Sequence, residues 1–470
     1  MKPGRIFDGG VLPTAAQTVL LALGALLALC QGPTGLANPT GPATATDAPI
    51  EGRRDMSWSA GREIATPVGW HGANAVLWVK GALDLVVSRD GRVHLLTVSD
   101  AAGTGSATGW LGIRHRLILE QEERDLEGIS AQGEPLHYFT ATEGSEGVVH
   151  AAWLQRPGDG TLSKTSGLYF ASYREGTWGP TERVTDERAR VGMWGDNVSL
   201  AALGDGRIDL FWTDWRERHL LRALLEDEAA FAKTFHRRRV GKEWMKAERM
   251  QKTGPYWAEL PSAVPGPDGT VHLFWAKQLG PAEIRHTHTK NDGSSSEETL
   301  ARSTNYDGTP GMILALGAAK GADDSLLVGW IHARWSTASQ RERVLEYCAL
   351  RNGAWSPAVC VSRTADDFKW VSGFDGAEGL LYQESDGADR VFDDQRGRRL
   401  VWKPVGPPAR EERVRLSENG IVHVFDGETG PGPTIHVVYA EEAEDGRVRL
   451  VHRRSGSESS QPRVMTDGAR

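Results

Sequence analysis

Cysteine is scarce, with 3 among 470 residues, so a disulfide-stapled scaffold is excluded and the fold must rest on a packed core. Positive charge is not in surplus: 54 Lys plus Arg stand against 62 Asp plus Glu, a net charge of -8. No long basic run is present to neutralise phosphates, which argues against a nucleic-acid partner. Long apolar runs are missing too. The longest, Val19 to Leu29, is too short to span a bilayer as a mature helix. A Gly-rich phosphate loop, a Gly-x-Ser-x-Gly elbow and a His-Glu-x-x-His helix are all absent, so the sequence offers no site for a cofactor and no zinc site.

What is present begins with an address. Lys2 and Arg5 precede the apolar run, as in a signal peptide spanning residues 1–37. Gly35-Leu36-Ala37 suits a signal peptidase, while Leu27-Ala28-Leu29-Cys30 is similar to a bacterial lipobox with Leu29 at its small-residue position, making Cys30 a candidate for lipidation. Residues 38–55 read as a flexible linker, and 56–470 as the folded domain. The expected location is extracytoplasmic: periplasmic, cell-surface or secreted. Membrane contact would come only through a lipid, and the expected state is a monomer. In an oxidising compartment the two remaining cysteines, Cys348 and Cys360, flanking the hairpin signal Asn352-Gly353, are expected to form a disulfide, given a bulge near Ser356-Pro357.

One pattern returns along the whole domain: an acidic residue and Gly, then a β-branched and aromatic run. It reads Asp90-Gly91-Arg92-Val93-His94, Glu146-Gly147-Val148-Val149-His150, Asp205-Gly206-Arg207-Ile208-Asp209 and Asp268-Gly269-Thr270-Val271-His272. Weaker copies end at Leu327, Tyr382 and His436, giving seven units about 57 residues apart. Three residues on, Trp153, Trp212, Trp275, Trp330 and Tyr439 mark a recurring buried strand. A second signature, Gly176-Thr177-Trp178-Gly179-Pro180 and Gly353-Ala354-Trp355-Ser356-Pro357, marks an outer strand. Four strands per unit and seven units predict an all-β, seven-bladed β-propeller of four-stranded antiparallel blades, with six or eight blades as alternatives. Trp58 to Thr66 reads as an outer strand that could close the last blade, in competition with Gln461 to Thr466. In the third unit the third strand is expected at His219 to Leu225 and an outer strand after Gly241, and the charged stretch from Leu224 to Met250 is expected to hold a short helix.

The outer hairpin Ser172-Tyr173-Arg174-Glu175-Gly176-Thr177-Trp178 resembles the Asp-box, Ser-x-Asp-x-Gly-x-Thr-Trp, of sialidase-like, BNR-repeat β-propellers; Arg174 stands in the Asp place. The resemblance implies a propeller fold and a glycan-directed role. Sialidase chemistry would need three arginines, a Tyr paired with a Glu and an Asp acid; the Arg-Ile-Pro tripeptide usual for the first arginine does not occur. Seven-bladed relatives of this layout include polysaccharide lyases and sugar-binding lectins.

Loops leading into the inner strands converge on one face, where a rigid scaffold can present ligand contacts. Four of these place an aromatic beside an acid: Trp194 with Asp196, Tyr256 and Trp257 with Glu259, Tyr306 with Asp307, and Asp367 with Trp370. Aromatic faces stack on sugar rings and carboxylates accept hydroxyl hydrogen bonds. The binding candidates are therefore Trp194, Tyr256, Trp257, Tyr306, Asp307 and Trp370. In an enzyme, Asp196, Glu259, Tyr256 and Asp367 are the candidates for acid, base or nucleophile. The expected partner is a carbohydrate or cell-envelope glycan, with a glycan-cleaving enzyme or a protein-interaction scaffold as alternatives. The histidines at 94, 150, 272 and 436 fall one per blade and read as packing with a backbone hydrogen bond, and the acidic run from Glu384 to Asp394 reads as a solvated loop rather than a calcium site.

Overall fold

The computed structural model describes residues 57–66, 82–100, 110–119, 122–126, 128–130, 136–155, 166–186, 189, 191, 198–214, 232–251, 256–266, 269–278, 280–289, 295–321, 323–337, 341–371, 378–385, 398–405, 413–417, 421–431, 434–443 and 445–456. The signal segment, Cys30 and the linker lie outside the described residues, as do Trp194, Asp196 and most of the acidic run. No helix among the described residues is long and apolar enough to cross a membrane.

Seven antiparallel sheets form the ring of a β-propeller. The inner strands, in blade order, are Leu83–Val87, Leu136–Glu143, Val198–Ala202, Trp257–Pro265, Met312–Lys320, Ala365–Val371 and Ile421–Thr429. Each packs on the next and the seventh meets the first, so no inner edge is exposed. The last blade takes its outer strand from the other end of the domain: Ser57–Trp58 and Arg62–Ile64 pair with Val448–Gly456. Gln461 to Thr466 lies outside the described residues.

The acidic-residue-plus-Gly repeat is a turn joining inner and second strands. In blade 3 the Leu203 and Gly206 amides close a loop on Arg207 and Leu203 carbonyls, and Asp205 accepts the Arg207 amide at 3.1 Å. Gly206 sits at φ +79°, a conformation that costs glycine little. The Asn352-Gly353 hairpin is a two-residue turn with both φ positive, between Arg351 and Ala354, matching the twist of its strands.

The recurring second-strand aromatics Trp153, Trp212, Trp275, Trp330 and Tyr439 are at most 2% exposed and fill the blade cores. The outer-strand tryptophans wedge into the preceding blade. Trp244 meets Phe170 edge-on at 5.3 Å and donates to Glu182 at 2.7 Å; Trp355 meets Phe274 at 6.0 Å and donates to Glu298 at 2.8 Å; Trp58 meets Trp402 at 6.1 Å. These contacts explain why a Trp follows the outer turn.

Three expectations need correction. Cys348 and Cys360 are free thiols. The bulge expected near Ser356 is present, yet it sets Cys360 opposite Glu346, so the two cysteines are diagonal rather than facing, too far apart for an unstrained bridge. Burial pushes the Cys348 thiol up to about 12, while Cys360 is exposed. The third strand of blade 3 is Lys233–Val240, inside the stretch where a short helix was expected, and Glu243–Trp244 and Glu248–Arg249 follow as the outer strand expected after Gly241. Cross-strand partners overrule the local charge pattern. Arg238 donates to the fully buried Asp209 at 2.8 Å, and Arg239 to Glu182 at 2.8 Å. Residues 219–225 lie outside the described residues. The recurring histidines do pack in the blades, but through third-strand side chains rather than backbone: His94 to His115 at 2.9 Å, His150 to Ser172 at 2.9 Å, His272 to His286 at 2.9 Å and His436 to His452 at 3.1 Å. Burial holds His94 at about 4 and His115 and His436 at about 3, so all three are neutral at pH 7. Among the described residues no group of three or more side chains could hold a metal ion.

Candidate functional site on the top face of blades 4 and 5

The face carrying the loops into the inner strands is called the top face. In blade 4 the inner strand is bulged between Glu259 and Ser262, and Leu260 sits at φ +55°. It is the one non-glycine residue at positive φ outside a turn among the described residues. A bulge re-aims the side chain beside it, and such a conformation costs about 1–3 kcal/mol, which the surrounding fold must hold. The side chain beside it is Glu259, 7% exposed. Gln278 donates to it at 3.2 Å, and burial raises its carboxyl to about 7. Glu259 can therefore give or take a proton near neutral pH. Gln278 also donates to the Ile313 carbonyl at 3.0 Å, tying blade 4 to the inner strand of blade 5.

Blade 5 supplies apolar surface at the same face. Tyr306, Met312 and Trp335 are 57%, 48% and 43% exposed, three of the six large hydrophobic side chains left in solvent among the described residues. The loop holding the two rings is tightly bonded. The Tyr306 amide donates to the Trp335 carbonyl at 2.8 Å, and Asn305 accepts the Trp335 amide at 2.8 Å. Asp307 accepts the amide and hydroxyl of Thr309 at 3.0 and 2.6 Å. Asp307 thus caps its own turn, and the ring next to it stays exposed.

The other sequence candidates are not gathered with these. Tyr256 is stacked on Trp275 at 5.9 Å with the Lys233 ammonium 4.1 Å from its ring, so its face is already covered. Trp257 opens the inner strand of blade 4 and is half-buried. Trp370 lies within the inner strand of blade 6, donates to the Gly317 carbonyl at 3.1 Å and meets Tyr347 edge-on at 5.8 Å; it is an inter-blade wedge. Asp367 caps its own strand through the Phe368 amide at 2.8 Å and adds its charge to that around Lys369. Trp335, Met312 and Gln278 were missed by the sequence reading. They follow or precede a strand at the top face, so loops leaving the second strand carry the same information as loops entering the first.

No protein-family model and no curated protein matches this chain. Solved structures similar to it include a protein of unknown function from Dyadobacter fermentans, 12% identical, TM-score 0.45, covering 67% of this chain and 93% of that one. A Penicillium chrysogenum α-L-arabinanase complexed with arabinobiose is 10% identical, TM-score 0.43, covering 84% and 98%. A Trypanosoma rangeli sialidase in complex with sialic acid is 11% identical, TM-score 0.42, covering 71% and 55%.

Proposed function

We propose that the protein is an exported propeller that binds carbohydrate or cell-envelope glycan on the top face of blades 4 and 5. The observation that carries this reading is the pair of exposed rings, Tyr306 and Trp335, fixed by backbone hydrogen bonds. Rings immobilised before binding lose little entropy when a sugar stacks on them. The neighbouring polar groups, Asn305 and Asp307, suit hydroxyl contacts. The test is retention on a glycan array: Tyr306→Ala and Trp335→Ala should each weaken binding about tenfold, roughly 1.4 kcal/mol. Unchanged retention in both variants defeats the reading.

A second reading, cleavage of the bound glycan, is favoured by Glu259. Its carboxyl, held at about 7 by burial beside a strained bulge, is suited to protonate a leaving oxygen. In a reducing-end release assay new ends should appear with the wild type and vanish with Glu259→Gln. Release that persists in the variant removes Glu259 from the chemistry; no release from any glycan leaves a binding module.

A further inference from the structure

Around the axis the inner strands are joined by a repeated bond. Ser199 accepts the Ala263 amide at 2.8 Å and Ser262 accepts the Ala318 amide at 2.9 Å. Asp426 accepts the Leu85 amide at 2.7 Å and Asp84 the Ala141 amide at 2.7 Å. The sense is always the same: a side chain of one inner strand holds the backbone of the next blade. Blades 3 to 5 use serines for this. The two seams that flank ring closure, blade 7 to blade 1 and blade 1 to blade 2, use carboxyls.

Those two carboxyls, 8% and 5% exposed, lie within hydrogen-bond reach of each other, and the Lys369 ammonium is 3.7 Å from Asp426. Two adjoining buried carboxyls facing a single ammonium cannot both be charged without a large cost, so one proton between them is the stable arrangement. Among the described residues the other titratable groups facing them supply no second cation: Tyr138 and Glu143 on the inner strand of blade 2, Asp367 on that of blade 6 and Glu428 on that of blade 7. Burial and the Asp426 charge hold the Asp84 carboxyl well above the usual range, and Glu428 is raised to about 8.

We propose that Asp84 and Asp426 form a proton-dependent clasp at the axis, in which one shared proton lets both carboxyls keep their amide bonds across the closing seams and its loss drives them apart. The closing strand at Ser57–Ile64 fastens the last blade from outside; the clasp fastens it from within. The consequence is a ring whose closure loosens as the pH rises. A carboxyl that stays protonated in the folded state contributes stability that falls as pH climbs above its unfolded value of about 4.

The test is the thermal midpoint of the full chain from pH 5 to pH 9, in the wild type, Asp84→Asn and Ser262→Ala. Asn keeps an acceptor for the Ala141 amide and offers a donor to Asp426, so Asp84→Asn should fold and gain on the wild type progressively with rising pH. Ser262→Ala should lose the same few degrees at every pH. Infrared spectra at pH 7 should show one protonated carboxyl fewer in Asp84→Asn. An Asp84→Asn protein that fails to fold, that tracks the wild type at all pH values, or that keeps the full carboxylic-acid band overturns the clasp.

Discussion

The seams on either side of blade 5 carry the same residue types and put them to opposite uses. At the blade 4–5 side, Glu259 is buried with the neutral Gln278 amide as its donor and its carboxyl is raised to about 7, while Tyr306 stands 57% exposed. At the blade 5–6 side, Asp366 is held by Arg343 and by Arg398 at 3.2 Å, and Trp370 is spent on the Gly317 carbonyl. The difference comes from placement. Tyr306 sits in a loop whose turn is satisfied by Asn305 and Asp307, so its ring is not needed for packing. Trp370 sits inside an inner strand, where adjoining blades leave room for a wedge because position 329 in the second strand of blade 5 is glycine: a Cβ there would come within 3.2 Å of the Trp370 ring. One seam is built to hold the ring together, and the other has groups to spare for a ligand.

That contrast can be broken by mutation. The largest effect is expected from Trp370→Ala, which opens a cavity between blades 5 and 6 and should cost about 3 kcal/mol in chemical denaturation; a cost under about 1 kcal/mol would remove its role as a wedge. The effect of Glu259→Gln should be small at about pH 4.5 and approach a similar size, with the opposite sign, at neutral pH. Since folding raises this carboxyl, the native state keeps the proton longer than the unfolded chain, and wild-type stability declines relative to the variant between about pH 4.5 and 7 at up to about 1.4 kcal/mol per unit. A constant gap across that window would show that Glu259 is ionised in the folded protein. Smallest is the effect of Tyr306→Ala on stability, expected within about 0.5 kcal/mol, because the ring is exposed and the turn is held by other groups. A larger loss would make Tyr306 a packing residue like Trp370.

The fold was legible because its determinants are local and repeated. Asp205-Gly206, Asn352-Gly353 and the second-strand Trp212 or Trp275 each report a turn or a core position that recurs from blade to blade, and closure by the Trp58 to Thr66 segment followed from an outer strand left without a sheet. What was not legible depends on partners distant in sequence. Arg238 and Arg239 look helical or solvated until Asp209 and Glu182 are set beside them. The pairing of Asp84 with Asp426 exists only once the ring is closed. Trp370 and Tyr306 differ by whether the chain turns before or after the aromatic, a matter of a few residues in strand boundary. Cys348 and Cys360 miss each other by two positions of register.

The account rests on Tyr306 and Trp335 being a preformed stacking surface, and the most direct measurement is glycan-array retention of the Tyr306→Ala, Trp335→Ala double variant beside Trp370→Phe. The account predicts that the double variant keeps wild-type thermal stability and loses more retention than either single variant's roughly tenfold, while Trp370→Phe loses some stability and no retention. Retention that survives in the double variant, or that disappears with Trp370→Phe while the protein stays folded, would contradict it.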